Sequence, residues 1–87
     1  MIIDKNDEFL MISSSDDIRI VNNVEEVEDF CTYLICRDKE TNEIYETNKH
    51  LLVDNNPKNY ELIEEYIKIK QKMLSVYAKL SFPLINE

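Results

Sequence analysis

The sequence predicts an α+β fold in one domain: two β-hairpins at about 9–21 and 32–47, a short helix near 24–30, and a long C-terminal amphipathic helix at about 57–80. Three observations predict it. In the first half, short runs rich in β-branched and aromatic residues flank polar, turn-forming clusters. In the last third, apolar residues recur at helical spacing. The 87 residues, 44% of them hydrophobic, are enough for one core. No repeat, low-complexity tract or linker divides the chain, so an acidic α+β body over 1–56 and a helix and tail over 57–87 form one unit.

The first hairpin joins residues 9–12 to 18–21 through Ser13-Ser14-Ser15-Asp16-Asp17. Asp17, Arg19 and Asn22 alternate with Ile18 and Ile20, the period of a half-buried strand. Residues 24–35 admit two readings. Val24, Val27, Phe30, Cys31, Leu34 and Ile35 trace a helical stripe, with Asn23 at the N-cap and Glu26 at the third position of a capping box. Residues 31–36, however, have strand propensity and feed the next hairpin. We take a short helix over 24–30 followed by a strand; the other reading is one helix to Arg37. In the second hairpin, Asp38-Lys39-Glu40-Thr41-Asn42 separates residues 32–37 from 43–47.

The C-terminal helix opens at Asn56-Pro57, an N-cap residue followed by a proline whose missing N–H costs nothing in the first turn. Leu62, Tyr66, Ile69, Met73, Val76 and Leu80 then fall at spacings of 4, 3, 4, 3 and 4, a heptad pattern. A second stripe of Ile63, Ile67, Leu74 and Tyr77 lies beside it. A helix over 57–80 would be about 36 Å long, more than the ~25 Å breadth of a globule this size. Either one end overhangs the body or the apolar face continues into a partner. Lys70 points into the apolar arc. Its stem covers apolar surface with the amine in water, or it pairs with an acid of the N-terminal part or of a second subunit. The helix is expected to end at Ser81-Phe82-Pro83, with Phe82-Pro83-Leu84-Ile85 folding back or serving as a docking peptide.

Composition then excludes function classes. The chain contains no glycine. Phosphate-cradling loops of the P-loop and dinucleotide types need glycine where backbone approaches phosphate, so nucleotide enzymes built on them are excluded. No stretch approaches the ~18 apolar residues of a membrane span, and Asp4, Asp7 and Glu8 stand where a signal peptide would be basic and then apolar. The expected compartment is the cytoplasm. Cys31 and Cys36, five apart, fit neither a CxxC pair nor half of a zinc site. His50 is the single imidazole and lies beside no nucleophile in sequence, so no catalytic residue is assigned. Carboxylate clusters at Asp4, Asp7 and Glu8 or at Asp16-Asp17 could meet a hard cation, but they lack the glycine and twelfth-position Glu of an EF-hand loop. No metal or cofactor is expected.

The charge layout is the most informative feature. The formal net charge of -8 divides into 14 acids and 5 bases over residues 1–56 and 4 acids and 5 bases over 57–87. An acidic body of this kind does not bind nucleic acid directly. On a helix over 24–30, Glu25, Glu28 and Asp29 would share one side with Glu26 nearby, and Asp16-Asp17 in a neighbouring turn would extend the row. Such a row either keeps the protein soluble or imitates the spaced charges of a nucleic-acid backbone and occupies a basic groove. Tyr33, Tyr45 and Tyr60 would add contact area.

In size and composition the chain resembles the short, acidic, Asn-, Ile- and Lys-rich proteins encoded by bacterial viruses. Some of these block host nucleic-acid enzymes or defence nucleases by mimicking DNA. That resemblance implies a non-enzymatic inhibitor or modulator, active in the host-cell cytoplasm, that binds a basic surface of a nucleic-acid-handling protein through Asp16, Asp17, Glu25, Glu26, Glu28 and Asp29. The alternative is a structural or assembly subunit that docks or dimerises through residues 57–80, with Tyr66, Lys70, Met73 and Tyr77 as interface candidates.

Overall fold

The computed structural model describes residues 1–80. The fold is α+β, as the sequence predicts, with two antiparallel sheets and one long helix. Strands β1 (Ile2–Ile3) and β4 (Val27–Glu28) form a two-stranded ladder. The larger sheet has the order β6-β5-β3-β2-β7, from β2 (Glu8–Ile12), β3 (Ile18–Asn23), β5 (Tyr33–Asp38), β6 (Ile44–Asn48) and β7 (Val53–Asp54). A single 3-10 turn, Lys49–Leu51, leads from β6 towards β7, and α1 runs from Pro57 to Ala78.

Both predicted hairpins form, and their turns replace glycine with side-chain chemistry. Asp16 and Asn42 take the left-handed conformation at φ 61° and 62°, as Asn6 does at 73° in the β1–β2 connection. Short polar side chains tolerate this region better than other non-glycine residues. In the β2–β3 turn the Ser13 hydroxyl accepts from the backbone N–H groups of Ser15 and Asp17. In the β5–β6 turn the Asp38 carboxylate accepts from Glu40 and Thr41 in the same way, at 2.8 and 3.1 Å. These bonds satisfy backbone donors that a tighter glycine turn would pair with backbone.

The large sheet is coiled around its core. The hydroxyls of Tyr45 and Thr47 on β6 lie 3.9 and 3.7 Å from the Met11 sulfur on β2. In a flat sheet, three strand spacings of about 4.8 Å would hold β2 and β6 roughly 14 Å apart. Val21, Leu34 and Cys36 form the buried centre inside the curl, and Ile3, Phe9, Val27, Tyr45 and Leu52 pack around them. Burial pushes the Cys36 thiol above its ordinary range, so it behaves as a small apolar group. On the outer face, Leu10 is fully buried where α1 crosses β2 and β3.

The two hairpins meet along β3 and β5, whose register covers three pairs, Val21 with Asp38, Asn22 with Arg37 and Asn23 with Cys36. A two-pronged ion pair extends that joint. Arg19 Nε donates to Asp38 Oδ2 at 2.8 Å, its Nη2 to Oδ1 at 2.7 Å, and its Nη1 to Glu40 at 3.0 Å. Asp38 is 6% exposed. The guanidinium bonds outweigh the burial cost and lower its pKa to about 2, while Arg19 is raised.

The expected helix over 24–30 is absent: β4 and a turn at Asp29–Phe30 occupy that stretch. Seven residues cannot cover the cost of helix nucleation without packing, and Glu25 would face Glu28 and Asp29 at i,i+3 and i,i+4, where like charges repel. Asn23, the supposed N-cap, instead ends β3 fully buried, and its amide donates to the carbonyls of Asp4 and Glu25. Val27 pairs with Ile3 and joins the core.

Helix α1 begins as expected, with the Asn56 side chain accepting from Asn59 N–H at 2.8 Å. It is the second stripe that faces the body: Ile63, Ile67 and Lys70 are half-buried, whereas the heptad stripe faces solvent. From Gln71 onward every helical residue is exposed. The helix therefore overhangs, giving extents of 56 × 26 × 26 Å and a radius of gyration of 17.0 Å, against about 12 Å for a compact chain of this length. Residues 81–87, including the tail peptide, lie outside the described residues.

Replacing Asp38 with Asn leaves Arg19 with the exposed Glu40 as its remaining acid and is expected to cost about 2 kcal/mol, the order of a hydrogen bond to a charged group. Because its folded pKa is depressed, Asp38 adds stability above its unfolded value near 4 and loses it as pH falls towards 2. Urea unfolding at pH 7 and at pH 2.5 checks both: the variant is far weaker at pH 7, and the difference narrows in acid.

Candidate functional site

The predicted acidic row is dispersed by the fold. Asp16 and Asp17 sit at the tip of the β2–β3 hairpin, whereas Glu25 and Glu26 follow its base, with the six residues of β3 between. That separation is about 20 Å at 3.3 Å per residue. Asp16 is already engaged, its Oδ1 accepting from the Lys70 amine at 2.8 Å. Of the two readings of Lys70, the ion pair with an acid of the N-terminal part is the one that forms, and Asp16 raises the Lys70 pKa above the ordinary lysine value. Asp29 is engaged too: Lys49 bonds its carboxylate at 3.2 Å and also its carbonyl.

A different acidic group takes shape. Register along β1 and β4 pairs Ile2 with Glu28 and Ile3 with Val27, so Asp4 and Glu26 adjoin the same end of the ladder. The buried Asn23 amide ties the Asp4 and Glu25 carbonyls together, and Asn23 N–H donates to the Asp7 carbonyl. Asp4, Asp7, Glu25, Glu26 and Glu28 thus rim one end of the body, and no ion pair engages any of them among the described residues. Sequence reasoning weighed Asp4 and Asp7 only as cation ligands and left them out of the anionic row, because a two-residue strand carries no period. The apolar Ile2-Ile3 pair ahead of them was the available signal.

Elsewhere on the body some acids are matched, while Asp17, Glu43, Glu46 and Asp54 enter no ion pair among the described residues. Arg19 holds Asp38 and Glu40, and Lys39 bonds Glu8, which lowers the Glu8 pKa. Cys31 and His50 line one shallow groove with Phe30 and Lys49. The Cys31 thiol, however, donates to the Tyr33 carbonyl at 2.9 Å. The groove between α1 and the hairpin tip is lined by mixed charges, Asp16, Asp17, Arg19, Glu64 and Lys68 among them, and holds no imidazole or thiol. Among the described residues no three His, Cys, Asp or Glu side chains gather to hold a metal ion, and no helix is long and apolar enough to cross a membrane.

The second candidate surface is the heptad stripe. Leu62, Tyr66, Ile69, Met73, Val76 and Leu80 are each between 52% and 66% exposed. Of the sequence-predicted interface residues, Tyr66 and Met73 lie on it, Tyr77 is exposed on its flank, and Lys70 turns to the body. At roughly 100 Å² of exposed surface apiece, about half of a large side chain, the six amount to about 600 Å². A monomer's largest apolar patch is typically ~300–600 Å².

Compared with protein-family models, curated proteins and solved structures, the chain matches none.

The Asp16–Lys70 pair anchors the last part of α1 that touches the body. Its partners are 22% and 44% exposed, so solvent screens much of it. Asp16→Asn and Lys70→Ala are each expected to lower the urea midpoint slightly, and the double variant no further than the larger single effect, measured as a double-mutant cycle.

Proposed function

We propose that the chain acts by binding, without catalysis, as a small accessory protein that assembles through α1 and presents an anionic sheet body to a basic partner. The observation that carries this reading is the apolar stripe on a helix that overhangs its own body. An overhang of this kind adds little to the fold of the sheet and costs solubility, so its value lies in what it meets. The unpaired rim of Asp4, Asp7, Glu25, Glu26 and Glu28 supports the second half of the reading. Carboxylates that no cation of this chain engages among the described residues leave room for a partner that supplies one.

The basic partner fits best as a nucleic-acid-handling protein, whose phosphate groove is built for spaced negative charge. In that setting the chain serves as an inhibitor or modulator that competes with DNA, in the manner of the small acidic proteins of bacterial viruses. The rim works as a cluster of anions at one end of a coiled sheet, not as a charged helix.

The test is affinity capture with identification of the partner, repeated with Glu25→Lys, Glu26→Lys and Glu28→Lys combined. The same partner should be lost, while the far-UV spectrum stays unchanged. Capture should weaken steeply between 50 and 300 mM salt, about tenfold or more for several screened charges, and added duplex DNA should release the partner. Undiminished capture by the triple variant would sink the anionic-surface reading.

A further inference from the structure

We propose that the occupant of the α1 stripe is a second copy of this chain, running antiparallel. This rests on the reading that α1 is an assembly face and names what covers it. The area is right: about 600 Å² per chain gives roughly 1,200 Å² for a pair, the lower edge of a standard interface.

The helix is electrostatically divided along its length. Residues 57–67 carry Glu61, Glu64 and Glu65 with Lys58, whereas residues 68–80 carry four lysines and no acid. Lys70 is committed to Asp16, which leaves Lys68, Lys72 and Lys79 on the second half. An antiparallel copy lays each acidic half on the other's basic half, and two-fold symmetry makes every such contact twice. With the stripe as its seam, Tyr66 stacks on the partner's Val76 and Ile69 on the partner's Met73, and Leu62 faces the partner's Leu80 just past the end of its helix. Glu65 then flanks the partner's Lys79 on both sides of the axis. Lys72 meets its own symmetry mate at the centre, a cost limited by the reach of both amines into water.

A parallel pair loses these matches and sets two strongly acidic bodies, each carrying 14 acids and 5 bases over residues 1–56, side by side. The antiparallel pair offsets the bodies along the helices, each packed over its own Ile63, Ile67 and Lys70 on its own side of the two-fold axis. The overhang from Gln71 onward, exposed on all sides, is the segment that its own body leaves for the partner.

The experiment is sedimentation of the full chain from 1 to 100 μM, followed by oxidation of mixed Leu62→Cys and Leu80→Cys variants in a Cys31→Ser background. The expected mass is twice 10.4 kDa, with Met73→Glu monomeric and folded, and the expected crosslink joins Leu62→Cys of one chain to Leu80→Cys of the other. Glu65→Lys should weaken the pair about fivefold, and adding Lys79→Glu should restore it. A dimer that crosslinks through Leu62→Cys on both chains overturns the orientation. A strict monomer at 100 μM overturns the second copy as occupant. If Met73→Glu then also abolishes capture of the identified partner, helix-mediated assembly survives with a foreign occupant; if capture is untouched, that reading fails as well.

Discussion

The fold hangs on the joint between its two hairpins. β3 and β5 share three register pairs, and at the end of that short ladder Arg19 grips Asp38 through two nitrogens. The same carboxylate closes the β5–β6 turn by accepting from two backbone N–H groups. One nearly buried acid therefore fixes the angle between hairpins and the shape of a turn that has no glycine. The curl that brings Met11 to Tyr45 and Thr47 follows from that joint, and so does the enclosed core of Val21, Leu34 and Cys36. A core this small leaves little reserve, so the loss of a single charge is felt throughout.

The helix stands in a different relation to the sheet. Its first half is fastened by Ile63, Ile67 and the Lys70–Asp16 pair, and every residue of its second half from Gln71 onward is exposed. The sheet thus carries the anionic rim while the overhang carries the apolar stripe, at separate places on one small chain. Two surfaces of different character, one acidic and one apolar, are what the proposed binding role draws on.

Much of the fold was legible because its signals are local. Ser13 and Asp38 announce their turns through side chains that bond backbone two to four residues on, and Asn56-Pro57 announces α1. The short helix over 24–30 was misread because its competitor is non-local: the pairing of Val27 with Ile3 and the burial of Asn23 depend on residues some twenty positions away. The acidic row failed with it, since Glu25, Glu28 and Asp29 share a side only on a helix. For α1 the sequence displays two apolar stripes without saying which one the body takes. The sheet covers Ile63 and Ile67, and the structure reveals that the more regular stripe, Leu62 to Leu80, is the one left outside.

The central claim is that this stripe lies outside the monomer's fold and belongs to association. The most direct test is the thermal midpoint as a function of protein concentration, for the natural chain and for Met73→Glu. Association predicts a midpoint that climbs with concentration in the natural chain and stays flat in the variant, the two converging on dilution. A midpoint independent of concentration in both, with Met73→Glu lower throughout, would place the stripe inside the monomer's own packing and contradict the account.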